Sequence, residues 1–250
     1  MADAWLGLLI GNTRLHWARF EQDTLVEQWE QPHLTQANSA DAIATVPPAH
    51  RPLATAGRLW LASVAPQQTR PWRPYCQPPI TLDQVPLQST YSTLGVDRAL
   101  ALWGAGQRWG FPALVIDGGT ALTYTGADAA QVLVGGAILP GLRLQMRSLY
   151  QGTGLLPYVE LGLTHPMDRW ATTTTGAIAS GILHSAIAGV ESFLADWWQR
   201  FPNSAVVFTG GDGELLQACL PRHRQGRTHY DPHLGFWGLQ QVRRTLIGDG

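Results

Sequence analysis

The sequence predicts an α/β protein built from two copies of a strand-turn-strand unit, with a cleft between the two halves. An apolar strand, a glycine turn and an alternating strand occur at residues 8–17 and again at residues 115–124. The turn glycines of the two copies, Gly11 and Gly119, stand at matching places within them. A third glycine turn, Thr209-Gly210-Gly211, follows another apolar strand. We therefore expect a first half at residues 1–112 and a second half at residues 113–250.

The elements of the first half follow from the spacing of its apolar residues. Residues 5–10 are an apolar run typical of a buried strand, and alternation resumes after a turn at Leu15 and Trp17. Another apolar run at residues 59–64 predicts a further strand. Five prolines within residues 66–79 predict a connector without helix. Residues 96–109 have helical spacing.

The second half repeats the scheme and adds a long helix. Short apolar runs at residues 113–116 and 206–208 predict buried strands, and residues 131–134 predict a strand that ends at Gly135-Gly136. Residues 142–149 have helical spacing. Residues 174–198 form the longest predicted helix.

The charged residues exclude several classes of enzyme. All 17 basic residues are Arg, and 18 acidic residues bring the formal net charge to -1. A P-loop, a protein-kinase fold and Schiff-base chemistry each require a lysine, so all three are excluded. A net charge near zero also provides no electrostatic footprint for nucleic acid, so we expect no nucleic-acid partner.

The chain shows no sequence marks of export or membrane insertion. Its N-terminus has no basic segment followed by a long apolar core, and no apolar stretch approaches the roughly 18–20 residues that span a bilayer. Cys76 and Cys219 lie far apart, which excludes a disulfide framework and a Cys-x-x-Cys metal motif. We therefore expect a cytoplasmic protein with no membrane partner.

The glycine turns are suited to binding a polyphosphate. A glycine turn after a buried strand lets backbone N–H groups approach an anion closely. The side chains of Asn12, Thr13 and Thr120 add short hydrogen-bond donors. The alternative interpretation of each turn is a simple hairpin connection. Three such turns in one chain favour a nucleotide site that needs no lysine.

Asp97 is the best candidate for acid–base chemistry. It stands at a predicted helix start, where the helix dipole stabilises a carboxylate, so we expect it to be ionised and able to accept a proton. The alternative is a plain helix-capping Asp. Arg98 beside it is suited to a bidentate contact with a carboxylate or phosphate. Asp117 ends a strand beside a glycine turn, where it would hold a cation near phosphates or accept from turn N–H groups.

The order and spacing of the motifs resemble one family along nearly the whole chain. The motifs are Gly11-Asn12-Thr13, Ser63-Val64-Ala65-Pro66, Gly95-Val96-Asp97-Arg98, Asp117-Gly118-Gly119-Thr120-Ala121-Leu122-Thr123, Gly135-Gly136-Ala137-Ile138 with Pro140-Gly141, and Thr209-Gly210-Gly211. Each motif is common by itself, but the set resembles the type III pantothenate kinases.

The resemblance implies a duplicated actin-like fold (ribonuclease H-like, sugar kinase/Hsp70-type), a homodimer, and phosphorylation of pantothenate by ATP as the first step of coenzyme A biosynthesis. Asp97 would be the general base. The implied pantothenate-binding residues are Tyr91, Gly95, Val96, Asp97, Arg98 and Thr174. The implied ATP-binding residues are Leu9, Ile10, Gly11, Asn12, Thr13, Arg14, Leu15, His16 and Thr120. Asp117 would coordinate a monovalent cation, K⁺ or NH₄⁺, and Mg²⁺ would accompany ATP.

Leu9 departs from the family pattern. The first loop of the family usually reads Asp-x-Gly-Asn-Thr/Ser, and Leu9 stands at the Asp position. Since Mg²⁺ prefers water plus one or two carboxylates, phosphate oxygens and water would have to replace this ligand. The departure motivates an alternative function, a catalytically weakened actin-like sensor or regulator that binds nucleotide or pantothenate. Another small-molecule kinase or a phosphatase of the same fold is a third possibility.

Overall fold

The computed structural model describes residues 4–35, 38–160 and 168–248. It divides into two units, Met1–Gln107 with Leu234–Gly250, and Arg108–His233. The strands are β1 (Ala4–Ile10), β2 (Arg14–Glu21), β3 (Thr24–Pro32), β4 (Leu59–Ser63), β5 (Ala113–Gly118), β6 (Ala121–Ala127), β7 (Leu133–Pro140), β8 (Ala205–Thr209) and β9 (His229–Tyr230). The helices are α1 (Ser39–Thr45), α2 (Arg51–Thr55), α3 (Pro66–Thr69), α4 (Val96–Trp109), α5 (Leu142–Gly152), α6 (Thr174–Arg200), α7 (Gly213–Ala218), α8 (Arg222–Gln225) and α9 (Leu234–Ile247).

The sheets of the two units have the same strand scheme. The first sheet has the order β3-β2-β1-β4, and the second has β7-β6-β5-β8-β9. In each sheet an antiparallel meander is followed by a parallel strand, β4 beside β1 and β8 beside β5. The shared order and orientation confirm the duplicated strand-turn-strand unit that the sequence predicts.

Aromatic side chains fill the core of the first unit. Trp17 on β2 is fully buried, with its ring stacked on Trp29 at 5.5 Å between centroids and edge-on to Trp72 at 4.9 Å. Apolar residues of β1 and β4, such as Leu8 and Leu61, complete the core. Trp burial therefore supplies much of the apolar area that stabilises this unit.

The long helix α6 lies on the sheet of the second unit. By length and composition it is apolar enough to cross a membrane, with a mean hydropathy of 1.4 in its most apolar window, which corrects the expectation that no segment approaches that limit. Half of that window is buried within the structure, where residues such as Ile182, Val190 and Leu194 join the core. Burial in the core accounts for the apolar composition of this helix.

Two local expectations are wrong. The proline-rich segment is helical in part, because Pro66 and Pro71 occupy first-turn positions of α3 and of the 3₁₀ helix Arg70–Trp72, where proline is tolerated. Strand β7 does not end at Gly135-Gly136 but continues to Pro140, since both glycines pair with β6 in register.

Helix α9 belongs to the first unit, whereas the expected boundary places it with residues 113–250. Its backbone approaches α4 so closely that a Cβ at Gly238 would overlap the Leu100 backbone, and a Cβ at Gly104 would overlap the Leu234 carbonyl. Paired glycines let two helices meet backbone to backbone. The chain therefore returns to its first unit after the second is complete.

Candidate active site

Asp97 lies in the first turn of α4, and its side chain is folded back on the backbone. Its Oδ1 accepts a hydrogen bond of 2.8 Å from the Arg98 N–H. The same oxygen occupies the space that a Cβ at Gly95 would need. A larger residue at position 95 would therefore displace the carboxylate, which explains why the motif has glycine two residues before the Asp.

Burial changes the acidity of Asp97. Loss of solvent raises the pKa of its carboxyl, while the hydrogen bond from the Arg98 N–H and the Arg98 charge lower it in part. The helix dipole favours the ionised form, but desolvation has the largest effect on this pKa. A raised pKa makes the carboxylate a stronger base, which suits proton abstraction.

Arg98 and Tyr91 lie together beside this carboxylate. The Arg98 Nη1 donates to the Tyr91 hydroxyl at 3.1 Å. A turn closed by the Leu94 N–H on the Tyr91 carbonyl, at 2.9 Å, brings the tyrosine back toward the start of α4. The structure therefore brings together Tyr91, Gly95, Val96, Asp97 and Arg98 in the first unit.

The first glycine turn connects β1 to β2. The Gly11 N–H donates to the Arg14 carbonyl at 3.0 Å, and the flanking residues Ile10 and Leu15 are paired in register. Asn12 and Thr13 are exposed at the tip. The turn thus presents short polar side chains and backbone groups, as phosphate binding requires.

Leu9 makes an apolar contact that the sequence does not reveal. Its Cδ1 lies within 2.7 Å of the place where a Cβ at Gly235 would stand, at the start of α9. Leu9 itself is half-buried. The residue at the family's Asp position therefore packs on the first turn of the C-terminal helix.

Polar residues from β3 and the segment after it support the first turn, and sequence reasoning missed them. A ring N–H of His33 donates to the Gly11 carbonyl at 2.9 Å. Glu30 lies 3.0 Å from His16 Nδ1 and 3.6 Å from an Arg14 Nη. Strand β3 is absent from the predicted elements, so no signal in the sequence placed these residues beside the turn.

The second and third glycine turns adjoin each other in the second unit. Asp117 on β5 is in register with Thr209 on β8. Gly210 has φ +81°, and a Cβ there would overlap Asp117 Oδ1. Only glycine fits both this backbone conformation and this close approach. The carboxylate of Asp117 therefore lies directly against the third turn.

Asp212 and Arg143 join this site and were also missed. Asp212 is buried, its backbone N–H donates to the Gly118 carbonyl at 2.8 Å, and its Oδ1 lies 3.3 Å from an Arg143 Nη. Burial raises the pKa of the Asp212 carboxyl, and the Arg143 charge lowers it in part. The position of Asp212 after Gly-Gly was the one available signal for it.

Comparisons with known proteins decide the family. A family model described as type III pantothenate kinase matches residues 5–196. A curated relative of that name from Nostoc sp. is 45% identical, with 95% of this chain and 94% of the relative covered. The chain belongs to the type III pantothenate kinase family.

Solved structures show the fold of this family member. A conserved Baf family protein from Campylobacter jejuni matches with a TM-score of 0.66 and 18% identity, covering 97% of this chain and 99% of that one. The activator of the 2-hydroxyisocaproyl-CoA dehydratase from Clostridium difficile, solved with ADPNP, matches with a TM-score of 0.52 and 10% identity, covering 98% and 97%. The fold is therefore the expected α/β actin-like fold.

The remaining predicted residues of this type III pantothenate kinase family member lie in the second unit. Thr120 lies between β5 and β6, and its carbonyl accepts from the Gly141 N–H at 2.9 Å. Thr174, exposed at the start of α6, borders a groove of about 490 Å³ between α5 and α6 with Leu149 and Ile178. Thr174 thus lies in a different unit from Asp97.

One carboxylate of the second unit, that of Asp117, is suited to a cation that arrives with nucleotide phosphates. Among residues 4–35, 38–160 and 168–248, no three His, Cys, Asp or Glu side chains form a ready-made metal site. Mg²⁺ with ATP is usually held by one or two carboxylates plus phosphates and water. Asp117, beside two glycine turns, places one carboxylate where a cation near nucleotide phosphates would need it, and Asp212 forms an ion pair with Arg143.

Proposed function

We propose that this chain transfers the γ-phosphoryl group of ATP to the primary alcohol of pantothenate, forming 4'-phosphopantothenate and ADP in the first step of coenzyme A biosynthesis. The observation that carries the proposal is the Asp97 site: a half-buried carboxylate of raised pKa, fixed by the Arg98 N–H at the start of α4, with Tyr91 bonded to Arg98. Membership of the type III pantothenate kinase family supports it.

Asp97 acts as the general base. It accepts the proton of the substrate hydroxyl while that oxygen forms a bond to the γ-phosphorus, and the bond from the γ-phosphorus to the ADP oxygen breaks. The Arg98 guanidinium binds the pantothenate carboxylate, since a planar fork of donors matches a carboxylate. Tyr91, bonded to Arg98, orients that guanidinium, and Gly95 and Val96 line the same pocket.

The nucleotide is bound by turns rather than by lysine. Residues 9–16, Leu9 to His16, contact ATP around the Gly11 turn, and Thr120 contacts it from the turn after β5. Backbone N–H groups and small hydroxyls supply the donors, which a chain without lysine requires. Most of the catalytic effect in phosphoryl transfer comes from positioning and charge stabilisation.

Two cations complete the proposal. A divalent ion, Mg²⁺, enters with ATP, and Asp117 holds a monovalent ion, K⁺ or NH₄⁺, beside the Gly210 turn. These cations supply positive charge that balances the phosphates. The position of the Asp117 carboxylate against Gly210 supports this role.

The second unit exposes apolar side chains that suit a homodimer. Leu155 is 97% exposed, Trp170 is 88% exposed and Ile138 on β7 is 65% exposed. Burying exposed apolar side chains of this size in an interface between two copies of the chain would remove apolar area from water. Thr174, in the same unit, contacts pantothenate near this surface. Cys76 and Cys219 are free thiols, which agrees with a cytoplasmic location.

One observation favours a second function, a sensor or regulator that binds nucleotide or pantothenate without turnover. Leu9 puts an apolar side chain, packed on Gly235, where the family has a carboxylate. Loss of that ligand would weaken phosphate and Mg²⁺ handling while leaving the Asp97 pocket intact.

A turnover assay separates the two functions. The purified protein, with ATP, Mg²⁺ and pantothenate, is assayed for 4'-phosphopantothenate by mass spectrometry in K⁺ and in Na⁺ buffer. Product in K⁺ and much less in Na⁺ is expected. Calorimetric binding of ADP and pantothenate with no product in either buffer would overturn the kinase proposal and favour the sensor.

A further inference from the structure

The start of α5 lies directly on the second glycine turn. A Cβ at Gly141, the residue before α5, would overlap the carbonyls of Gly119 and Thr120, and the Gly141 N–H donates to the Thr120 carbonyl. The helix cannot shift along its axis without breaking these contacts. Arg143 lies in the first turn of α5, so the position of its backbone relative to the second glycine turn is fixed.

Arg143 also reaches the third glycine turn. Its Nη1 lies 3.8 Å from where a Cβ at Gly211 would stand, and another Nη lies 3.3 Å from Asp212 Oδ1. Asp212 is in turn tied to the second turn, because its backbone N–H donates to the Gly118 carbonyl. One guanidinium is thus anchored beside both turns of the second unit.

The anchor leaves most of the guanidinium accessible. The Asp212 side chain is 5% exposed, whereas that of Arg143 is 65% exposed. Arg carries five N–H donors in a rigid fork, and a single carboxylate oxygen engages one part of it. A buried carboxylate that holds one side of an exposed guanidinium orients its other N–H donors, which stay accessible to a bound anion.

We propose that Arg143, oriented by Asp212, binds the terminal phosphates of the nucleotide and stabilises the charge of the transferring phosphoryl group. The inference rests on the proposed kinase function and adds a residue that its motifs do not include. In other phosphate sites a lysine often supplies this positive charge, but this chain contains no lysine. Arg143 supplies the charge instead. Arg143 is then a catalytic residue, and Asp212 is a positioning residue.

The test compares Arg143→Gln with Arg147→Gln. Arg147 is exposed one turn later on the same helix, so its substitution removes the same charge from α5 without touching the turns. ADP affinity is measured by calorimetry with Mg²⁺, and kcat and KM by turnover. Arg143→Gln should weaken ADP binding about 10- to 100-fold, as expected for loss of hydrogen bonds to a charged group.

The same variant should lower kcat and leave KM for pantothenate unchanged. Because Asp212 is buried and loses its ion-pair partner, melting curves of the variant check that it is folded at the assay temperature. Arg143→Lys should recover part of the ADP affinity, since it keeps the charge and loses the fork. Asp212→Asn should weaken ADP binding less than Arg143→Gln does.

The proposal would be overturned if Arg143→Gln and Arg147→Gln bound ADP with the same affinity, whether both keep the wild-type affinity or both lose it equally. Failure of the kinase function is seen separately, because it appears as absent turnover in the wild type. The ADP measurements on the two variants decide the role of Arg143 in either case.

Discussion

Replacing Gly238 by Ala should destabilise the protein, because α9 and α4 meet there backbone to backbone. A Cβ at Gly238 would overlap the carbonyl group and Cα of Leu100. No side-chain rotation relieves an overlap with backbone atoms, so α9 must move away from α4. Loss of this packing would affect the helix that joins the C-terminal segment to the first unit.

The magnitude follows from two opposing effects. Overpacking against backbone belongs at the upper end of the usual range, about 3 kcal/mol. Ala gains about 1 kcal/mol over Gly in a helix interior, which leaves a net loss of about 2 kcal/mol. At roughly 2–4 °C per kcal/mol for a chain of this size, Tm should fall by about 4–8 °C.

Thermal unfolding followed by circular dichroism measures the change, with Gly189→Ala as the matched control. Gly189 lies inside α6, and a Cβ there meets no atom within 4 Å. The control should melt at or slightly above the wild-type temperature, because it gains helix propensity without a clash. If Gly238→Ala melted as high as Gly189→Ala, the close approach of α4 and α9 would be refuted.

Three further predictions concern the site. The acid limb of kcat/KM should lie above the ordinary Asp pKa of about 3.9, because burial raises the pKa of the Asp97 carboxyl; a limb at or below that value would contradict the assignment. The pKa of Asp97 is higher in the folded state, so its contribution to stability is present below its unfolded pKa and is lost as pH rises through its folded pKa. Asp97→Asn should therefore melt above the wild type at pH 7. Melts at decreasing pH should show this gain vanish toward pH 4. His33→Ala should raise KM for ATP several-fold, because it releases the Gly11 carbonyl. The matched control is His50→Ala, which removes a buried His paired with Glu27 of β3 and should lower Tm while KM for ATP stays unchanged. Steady-state kinetics and melts of both variants test this.

Repetition made the fold predictable from sequence. The apolar runs at β1, β5 and β8 are short and bounded by glycine turns, so the run length and the flanking glycines both indicate strands. Strand β3 was not predicted, because it is a mostly exposed edge strand rich in Glu and Gln. Backbone hydrogen bonds to β2 hold this strand in the sheet. They require no alternation of apolar and polar side chains, so the sequence shows no periodicity there.

The site residues also divide into those that the sequence predicts and those that only the structure brings together. Asp97 and Arg98 are adjacent in sequence and act from one helix turn, so a motif finds them. Asp212 and Arg143 are far apart in sequence and meet only because β8 pairs with β5 and Gly141 packs on the second turn. The raised pKa of Asp97 also required the structure, because desolvation depends on what covers the carboxylate.

The rate of 4'-phosphopantothenate formation by Asp97→Asn tests the central claim most directly. The matched control is Asp41→Asn, an exposed Asp in the first turn of α1. We predict that Asp97→Asn lowers kcat by at least about 100-fold, the usual minimum for loss of a general base, with ADP affinity and folding intact, while Asp41→Asn turns over like the wild type. Undiminished turnover by Asp97→Asn would contradict the account.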